Sequence, residues 1–512
     1  MDKRTLTAVV LSLVVLIAWS IFFKPEPVPQ KPPAEEKALP PVPEMTEEQK
    51  QAEPSPALPE ESPATPVSLE SDVVVETDLF RAVFSTKGAI IKFWELKKFS
   101  DNFGKPVILL REPGPIPPLS IILEGENRTL PQQVVYAAST RKLVLSEKGP
   151  PRGEVIFTYS GQGVLIRKKF LFSSDSYKAD VAIETENLPP SFLAVGTDFG
   201  VFDREQREHK GPVMLTGSGR EEFDSNLKEP QYLTGITKWI AQEDKYFTAA
   251  LIPVTPTEEV RVWKERDAAE IALKLVPQKH DLLFYAGPKE YDRLKALNVG
   301  LEHIVDFGWF AFIAMPLFWV LKFLYRFFGN YGWAIIALTI AVRVPFIPIL
   351  HKSQKSMKKM QKIQPLMAEI KEKYKKDSAK MQKEMMAIYK KHKVNPVGGC
   401  LPMLLQIPVF IALYNVLLKA IELRGAPFVL WITDLAAKDP YYVMPIVMGL
   451  TMVIQQKMTP SAMDPKQAKM MMLMPIVFTF MFLTFPSGLV LYWLVNNVLG
   501  IGQQYFANKQ VS

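Results

Sequence analysis

Five long apolar runs crowd the C-terminal part of this 512-residue chain, at 331–350, 399–418, 441–456, 470–485 and 489–502. Charged or turn-forming segments separate them, and each run is of a length that suits a membrane span. A sixth run, LTAVVLSLVVLIAWSIFF at 6–23, follows Lys3 and Arg4. It exceeds the usual signal core of about 7–15 residues and no A-x-A site closes it, so it reads as an uncleaved anchor. The expectation is six transmembrane helices. The last two meet at Pro486-Ser487-Gly488, a tight helical hairpin turn.

Charge placement orients these spans. The loop 351–398 carries fourteen lysines against Glu369, Glu372, Asp377 and Glu384. The loop 457–469 adds Lys457, Lys466 and Lys469, whereas 419–440 has only Lys419, Arg424 and Lys438. Positive residues stay cytoplasmic, so both Lys-rich loops and both termini are expected inside. Residues 304–328, IVDFGWFAFIAMPLFWVLKFLYRFF, hold Lys322, Arg326 and a potential break at Pro316. They read as an amphipathic helix lying on the outer membrane surface.

The exported part has two textures. Residues 24–69 hold thirteen prolines and nine glutamates, a composition that makes an extended spacer rather than a core. From 70 to 303 the period becomes two: Ala179, Val181 and Ile183 alternate with Asp180, Ala182 and Glu184, and Ile271, Leu273 and Leu275 behave alike. Many short strands between turn signals such as Lys87-Gly88 predict a large all-β sandwich. One cysteine, Cys400, excludes a disulfide scaffold.

Arg343 is the one charge in YGWAIIALTIAVRVPFIPIL, about 10 Å from its cytoplasmic end at helical rise. A charge at that depth costs about 3 kcal/mol or more unless it is hydrated or paired. The other spans supply no acidic partner, only polar groups such as Gln406, Asn415, Gln455, Gln456, Asn496 and Asn497. Some of these serve interhelical hydrogen bonds; with Arg343 they could line one wet groove. The loop after Arg343 reads as a helical hairpin over 352–394, with methionines at spacings of three and four and a break at Asp377-Ser378. Its charge suits ribosomal RNA or anionic lipid. The five histidines lack zinc spacing, Thr216-Gly217-Ser218-Gly219-Arg220 lacks the Lys-Ser/Thr of a phosphate loop, and no paired carboxylates stand out.

Several stretches carry a resemblance: Ala341-Val342-Arg343, NPVGGCLPMLLQIPVF (395–410), FVLWITDLAAKDPYY (428–442), QQKMTP (455–460) and FPSGLVLYWLVNN (485–497). The chain resembles the YidC membrane protein insertase family, in the Gram-negative form with anchor, spacer and large exported β-domain. The resemblance implies a periplasmic β-supersandwich beside the helical bundle in the bacterial inner membrane. It places Arg343 in a hydrophilic groove open to cytoplasm and lipid, with Thr339, Gln456 and Trp493 lining it or touching substrate; at 493 many relatives have tyrosine. Gln406 and Asn496 join this set through their polarity. The implied domains are an anchor at 1–23, a linker at 24–69, the β-domain at 70–303, the interfacial helix at 304–328 and the insertase core at 329–508.

The implied activity is insertion and chaperoning of nascent membrane proteins in the phospholipid bilayer, without cofactor, metal or chemical reaction. The Sec translocon is an implied partner. The ribosome is a further expected contact of the hairpin, although the tail after Phe506 is only ANKQVS and lacks the long basic form. The competing reading is an anion-binding transporter or channel built on Arg343.

Overall fold

A computed structural model describes residues 69–101, 104–124, 130–197, 199–200, 209–224, 227–375, 377–392, 401–458 and 465–509. The anchor at 1–23 and nearly all of the linker lie outside the described residues, as do Cys400 and the 395–400 part of its motif.

The alternating segments form strands in two sheets. One sheet runs in the order Pro106–Leu110, Ile90–Ser100, Phe80–Ser85, Asp72–Glu76 and Lys142–Val144. The other has thirteen strands, from Ile121–Leu123 at one end to Ala137–Ala138 at the other. Its centre is the antiparallel series Gln231–Glu243, Phe247–Pro253, Gln278–Pro288, Lys178–Glu186 and Val164–Ser173. Ala179, Val181 and Ile183 face the core as their alternation requires. Ile271 and Leu273 do too, but Ala272 between them is also buried. It packs with Ile116, Ile122, Phe192 and Trp263 in a small cluster on the opposite face.

Aromatic rings fill the main core, with Phe80 stacked on Trp94 at 4.4 Å and Phe84 tilted against Phe170 at 5.2 Å. A fully buried lysine crosses it. Lys168 Nζ donates to the carbonyls of Gly88 (2.9 Å), Ala89 (3.1 Å) and Leu119 (2.8 Å). Ala89 and Leu119 both have positive φ, a conformation that non-glycine residues adopt at a cost. The three acceptors match the three N–H groups of an ammonium, so Lys168 holds two strained turns against one strand.

The apolar runs form helices: α1 (Ala311–Phe328), α2 (Tyr331–Arg343), α3 (Ile347–Lys373), α4 (Ser378–Lys391), α5 (Leu401–Lys419), α6 (Val443–Met458), α7 (Pro465–Phe482) and α8 (Ser487–Lys509). Pro316 does not break α1. It lies inside the continuous helix, whose Ala314, Phe318 and Leu321 are buried while Trp309, Phe312, Trp319, Phe323 and Phe327 are exposed around it. The boundary expected near residue 350 is also absent among the described residues: α2 passes through the short 3₁₀ turn Val344–Phe346 into α3, and the helical stretch runs 43 residues from Tyr331 to Lys373. Pro345 removes a backbone donor at that turn, which accounts for the local tightening. By length and apolarity α1 and Tyr331–Lys373 could each cross a membrane, and Gln406–Lys419, Val443–Met458 and Met472–Phe482 are shorter apolar helices. The break at Asp377-Ser378 is where α4 starts, with Asp377 Oδ1 accepting from the Lys380 amide at 3.0 Å.

The β-sandwich and the helices share a buried seam. Ile421, just after α5, is buried with the sandwich core, and the Arg424 guanidinium lies over the Phe247 ring at 5.2 Å. Lys419 Nζ donates to the Asp306 carbonyl at 2.6 Å, and Lys322 of α1 pairs with Asp292. Half-buried Glu422 sits in this seam near Lys322, Glu290 and Asp292. Burial pushes its carboxyl up to about 7, the two neighbouring carboxylates add to the shift, and Lys322 opposes it.

The folded state therefore holds the Glu422 proton more tightly than the unfolded chain. Its stabilising contribution is full below the ordinary carboxyl range and is lost as pH rises through about 7. Glu422→Gln should match the parent protein's thermal midpoint near pH 5 and exceed it at pH 8. A difference between variant and parent that is the same at both pH values would refute this assignment.

Candidate functional site

Asn330 starts α2. Its Oδ1 accepts from the amides of Gly332 (2.8 Å) and Trp333 (3.2 Å), and its Nδ2 donates to the Pro427 carbonyl at 3.0 Å. Gly332 is required here, because a Cβ would overlap the Phe428 ring. From this fixed start the helix buries Tyr331, Ala334, Ile335, Leu338 and Thr339, a stripe at spacings of one, three and four. Arg343 ends the helix one turn beyond Thr339, half-buried against α8.

On α8 the residues facing Arg343 are Asn496, Gly500 and Gln503, at i, i+4 and i+7, hence on one face. Arg343 Nη1 donates to the Asn496 carbonyl at 2.7 Å and to Asn496 Oδ1, and Nη2 lies 3.5 Å from Gln503 Oε1. Asn496 Oδ1 also accepts from Gln406 Nε2 of α5 at 3.2 Å. The guanidinium is thus bracketed by neutral amides from α8, with Gln406 tied in through Asn496, and among the described residues it enters no ion pair. Gly500 provides the gap: a Cβ there would sit 2.4 Å from Gln455 Nε2 and 3.1 Å from Arg343 Nη2.

Of the six expected site residues, Arg343, Asn496 and Gln406 form one hydrogen-bonded set. Trp493, one turn earlier on α8, meets Phe410 edge-on at 4.8 Å and lies 5.1 Å from Phe482, in an aromatic wall beside that set. Thr339 is buried, and its hydroxyl donates to the Ile335 carbonyl of its own helix at 2.7 Å. Gln456 is half-buried on α6 and outside the bonded set. Asn497 serves packing, with Nδ2 donating to Thr451 Oγ1 at 3.2 Å. Gln503, Gly500 and the Gln354–Gln504 pair, joined at 2.9 Å between α3 and α8, are additions from the structure. Their sequence signal was the Asn-x3-Gly-x2-Gln spacing, legible only once Arg343 was known to face α8.

A cavity of about 340 Å³ opens beside Arg343, lined by Ile340, Arg343, Val344, Ile347, His351, Leu499, Gln503 and Phe506. Arg343 is the one member of the expected set in this lining. The site offers donors and a fixed positive charge. Among the described residues, no group of three or more His, Cys, Asp or Glu could hold a metal ion.

Comparison with known proteins gives consistent matches. The model of the family described as 60Kd inner membrane protein matches residues 323–512, and that of the YidC periplasmic domain matches residues 72–320. Membrane protein insertase YidC of Geotalea daltonii is 44% identical over a 535-residue alignment that covers 100% of both chains. Its namesake in Syntrophus aciditrophicus is 42% identical over 546 residues, again with 100% of each chain covered. Among solved structures, an active YidC insertase with its first transmembrane domain resolved is 21% identical, with a TM-score of 0.40, covering 86% of this chain and 93% of that one.

The role of Gly500 as a gap has a direct test. Gly500→Ala gains about 1 kcal/mol of helix propensity and meets only side-chain ends that can move, so its stability should stay within about 1 kcal/mol of the parent. Gly500→Leu forces Gln455 and Arg343 aside and should cost about 1–3 kcal/mol. Unfolding in detergent measures both, and equal behaviour of the two variants would mean that Gly500 is not a gap.

Proposed function

The chain belongs to the YidC membrane protein insertase family, and from that premise we propose that it inserts nascent membrane proteins through a groove centred on Arg343. The observation that carries this reading is a half-buried guanidinium held by neutral amides at the end of an apolar helix. Such a charge gains most from water, or from a polar segment delivered by a client.

In this reading the protein is a multi-pass protein of the bacterial inner membrane with six spans and both termini inside. The sandwich over 70–303 is periplasmic, 304–328 is interfacial, and the core 329–508 holds five of the spans. The Lys-rich hairpin 352–394 is cytoplasmic and meets the client or the ribosome first. The polar flank of the client enters beside Arg343, Gln406 and Asn496, with Thr339, Gln456 and Trp493 as further groove positions. The hydrophobic segment then slides into lipid, and burial of its apolar surface supplies the driving force. Short spans support this by thinning the bilayer: the sixteen residues of the run 470–485 reach about 24 Å at helical rise against a core of about 30 Å. No cofactor, metal or covalent step enters the scheme. The Sec translocon is a further partner in this reading.

Vesicles holding the pure protein separate this reading from anion transport, since client insertion without anion flux supports the insertase and flux without insertion supports the transporter. Arg343→Lys keeps the charge and should retain much of the insertion activity, although it loses the fork geometry. Arg343→Ala should impair most those clients with acidic translocated segments. A client panel graded in acidic content reads this out, and equal losses across the panel would leave hydration or structure as the role of Arg343.

Topology is checked separately. Lys375→Cys in a Cys400→Ala background should react with an impermeant thiol reagent from the cytoplasmic side alone. Labelling from the periplasm would overturn the orientation.

A further inference from the structure

The cavity beside Arg343 has a feature that the bonded set does not use. Among the described residues, Arg343 Nε is buried and meets no acceptor, and the same holds for Gln503 Nε2. The amide orientation of Gln503 follows from its neighbour: Oε1 faces Arg343 Nη2, so the NH₂ end is the group left over. Buried donors without acceptors are costly, more so on a charged group. Both residues line the cavity, as does His351, the residue just before the lysine run begins at Lys352. Two orphaned donors, a guanidinium and no ion pair among the described residues together call for an anion.

The rest of the lining says how that anion arrives. Ile340, Val344, Ile347 and Phe506 border the cavity and are themselves 45%, 55%, 48% and 67% exposed. The opening is therefore sideways, across an apolar surface. A soluble anion gains nothing from such a border, whereas an amphiphile lays its chain along it.

We propose that this cavity binds the phosphate of an anionic phospholipid. Its phosphate oxygens accept from Arg343 Nε and Gln503 Nε2, and an acyl chain lies over Ile340 and Leu499, toward the bilayer centre. The proposal rests on the reading that these helices lie in a bilayer. From His351 to Arg343 is eight residues, a descent of about 12 Å at helical rise, so a headgroup seated here would be drawn below its normal level. The lipid would compensate Arg343 between clients and thin the inner leaflet beside the groove, and an incoming client would displace it.

The test is native mass spectrometry of the full-length protein in detergent, titrated with phosphatidylglycerol. Diacylglycerol of the same chains and inorganic phosphate are the comparison probes. Saturable binding of one phosphatidylglycerol is expected, with diacylglycerol at least about tenfold weaker and phosphate alone unable to displace the lipid at equal concentration. Gln503→Leu should weaken binding about tenfold. Gln503→Glu, which keeps the side-chain size and pairs Arg343 internally, should abolish it even if the leucine variant folds poorly. Parent-like binding by Gln503→Glu would overturn the proposal. So would diacylglycerol binding as tightly as phosphatidylglycerol, or displacement of the lipid by phosphate at equal concentration. Binding is read without any insertion assay, so failure of the insertase reading leaves this result standing.

Discussion

The helical half of this protein is arranged around a charge that has no counter-charge among the described residues. Arg343 closes an apolar helix and meets carbonyl and amide oxygens rather than a carboxylate. A guanidinium in apolar surroundings is less costly when its donors are met, and amides meet the Nη donors of Arg343 without cancelling its charge. An aspartate at position 496 would cancel that charge. The neutral bracket keeps a net positive potential where the protein can use it, and it binds α2, α5 and α8 through a single asparagine. The gap at Gly500 and the aromatic wall of Trp493, Phe410 and Phe482 follow from that arrangement, because the guanidinium needs room on one side and dry packing on the other.

The periplasmic-type sandwich is joined to this bundle by more than a tether. Ile421 sits in the sandwich core while its neighbour Glu422 faces α1 through Lys322, so the loop after α5 belongs to both halves. The same loop continues to Asp439, whose buried carboxylate accepts from Trp431 Nε1 (3.0 Å) and from the amides of Tyr441 (3.0 Å) and Met444 (2.7 Å). Just before it, the carbonyls of Leu435 and Ala437 accept from Gly488 and Ser487 at the start of α8. The external end of α8 is thus held by a rigid loop, while its other end carries Gly500 and Gln503 beside the cavity. The hairpin of α3 and α4 has a much smaller core, with Ile363 and Met367 buried and Met360, Met385, Ile388 and Tyr389 packed on them. Few buried contacts mean a low local stability.

Much of this was legible in the residues. Period-two alternation located strands such as Lys178–Glu186, apolar runs located α2 and α5 to α8, methionine spacing located the lysine-rich hairpin of α3 and α4, and a missing acid identified Arg343 as uncompensated. These signals are local: a strand or span declares itself through the burial of its own side chains. Where local rules misled, tertiary packing had overridden them. Pro316 was read as a break, but α1 is held between the seam and α2 and stays helical through it. Ala272 was read as outward-facing, but a second small cluster covers that face.

The sequence by itself determined the class of the chain, the order of its parts and the position of the lone charge in the run 331–350, because each depends on composition and spacing along a single segment. Only the tertiary structure decided which polar residues meet that charge. Thr339, one turn away on the same helix, spends its hydroxyl on the Ile335 carbonyl, while Asn496 and Gln503, more than 150 residues distant, provide the partners. Which side chain reaches a guanidinium is set by how helices cross and where a glycine lets them approach, and that geometry is a property of the packed bundle that no one segment carries.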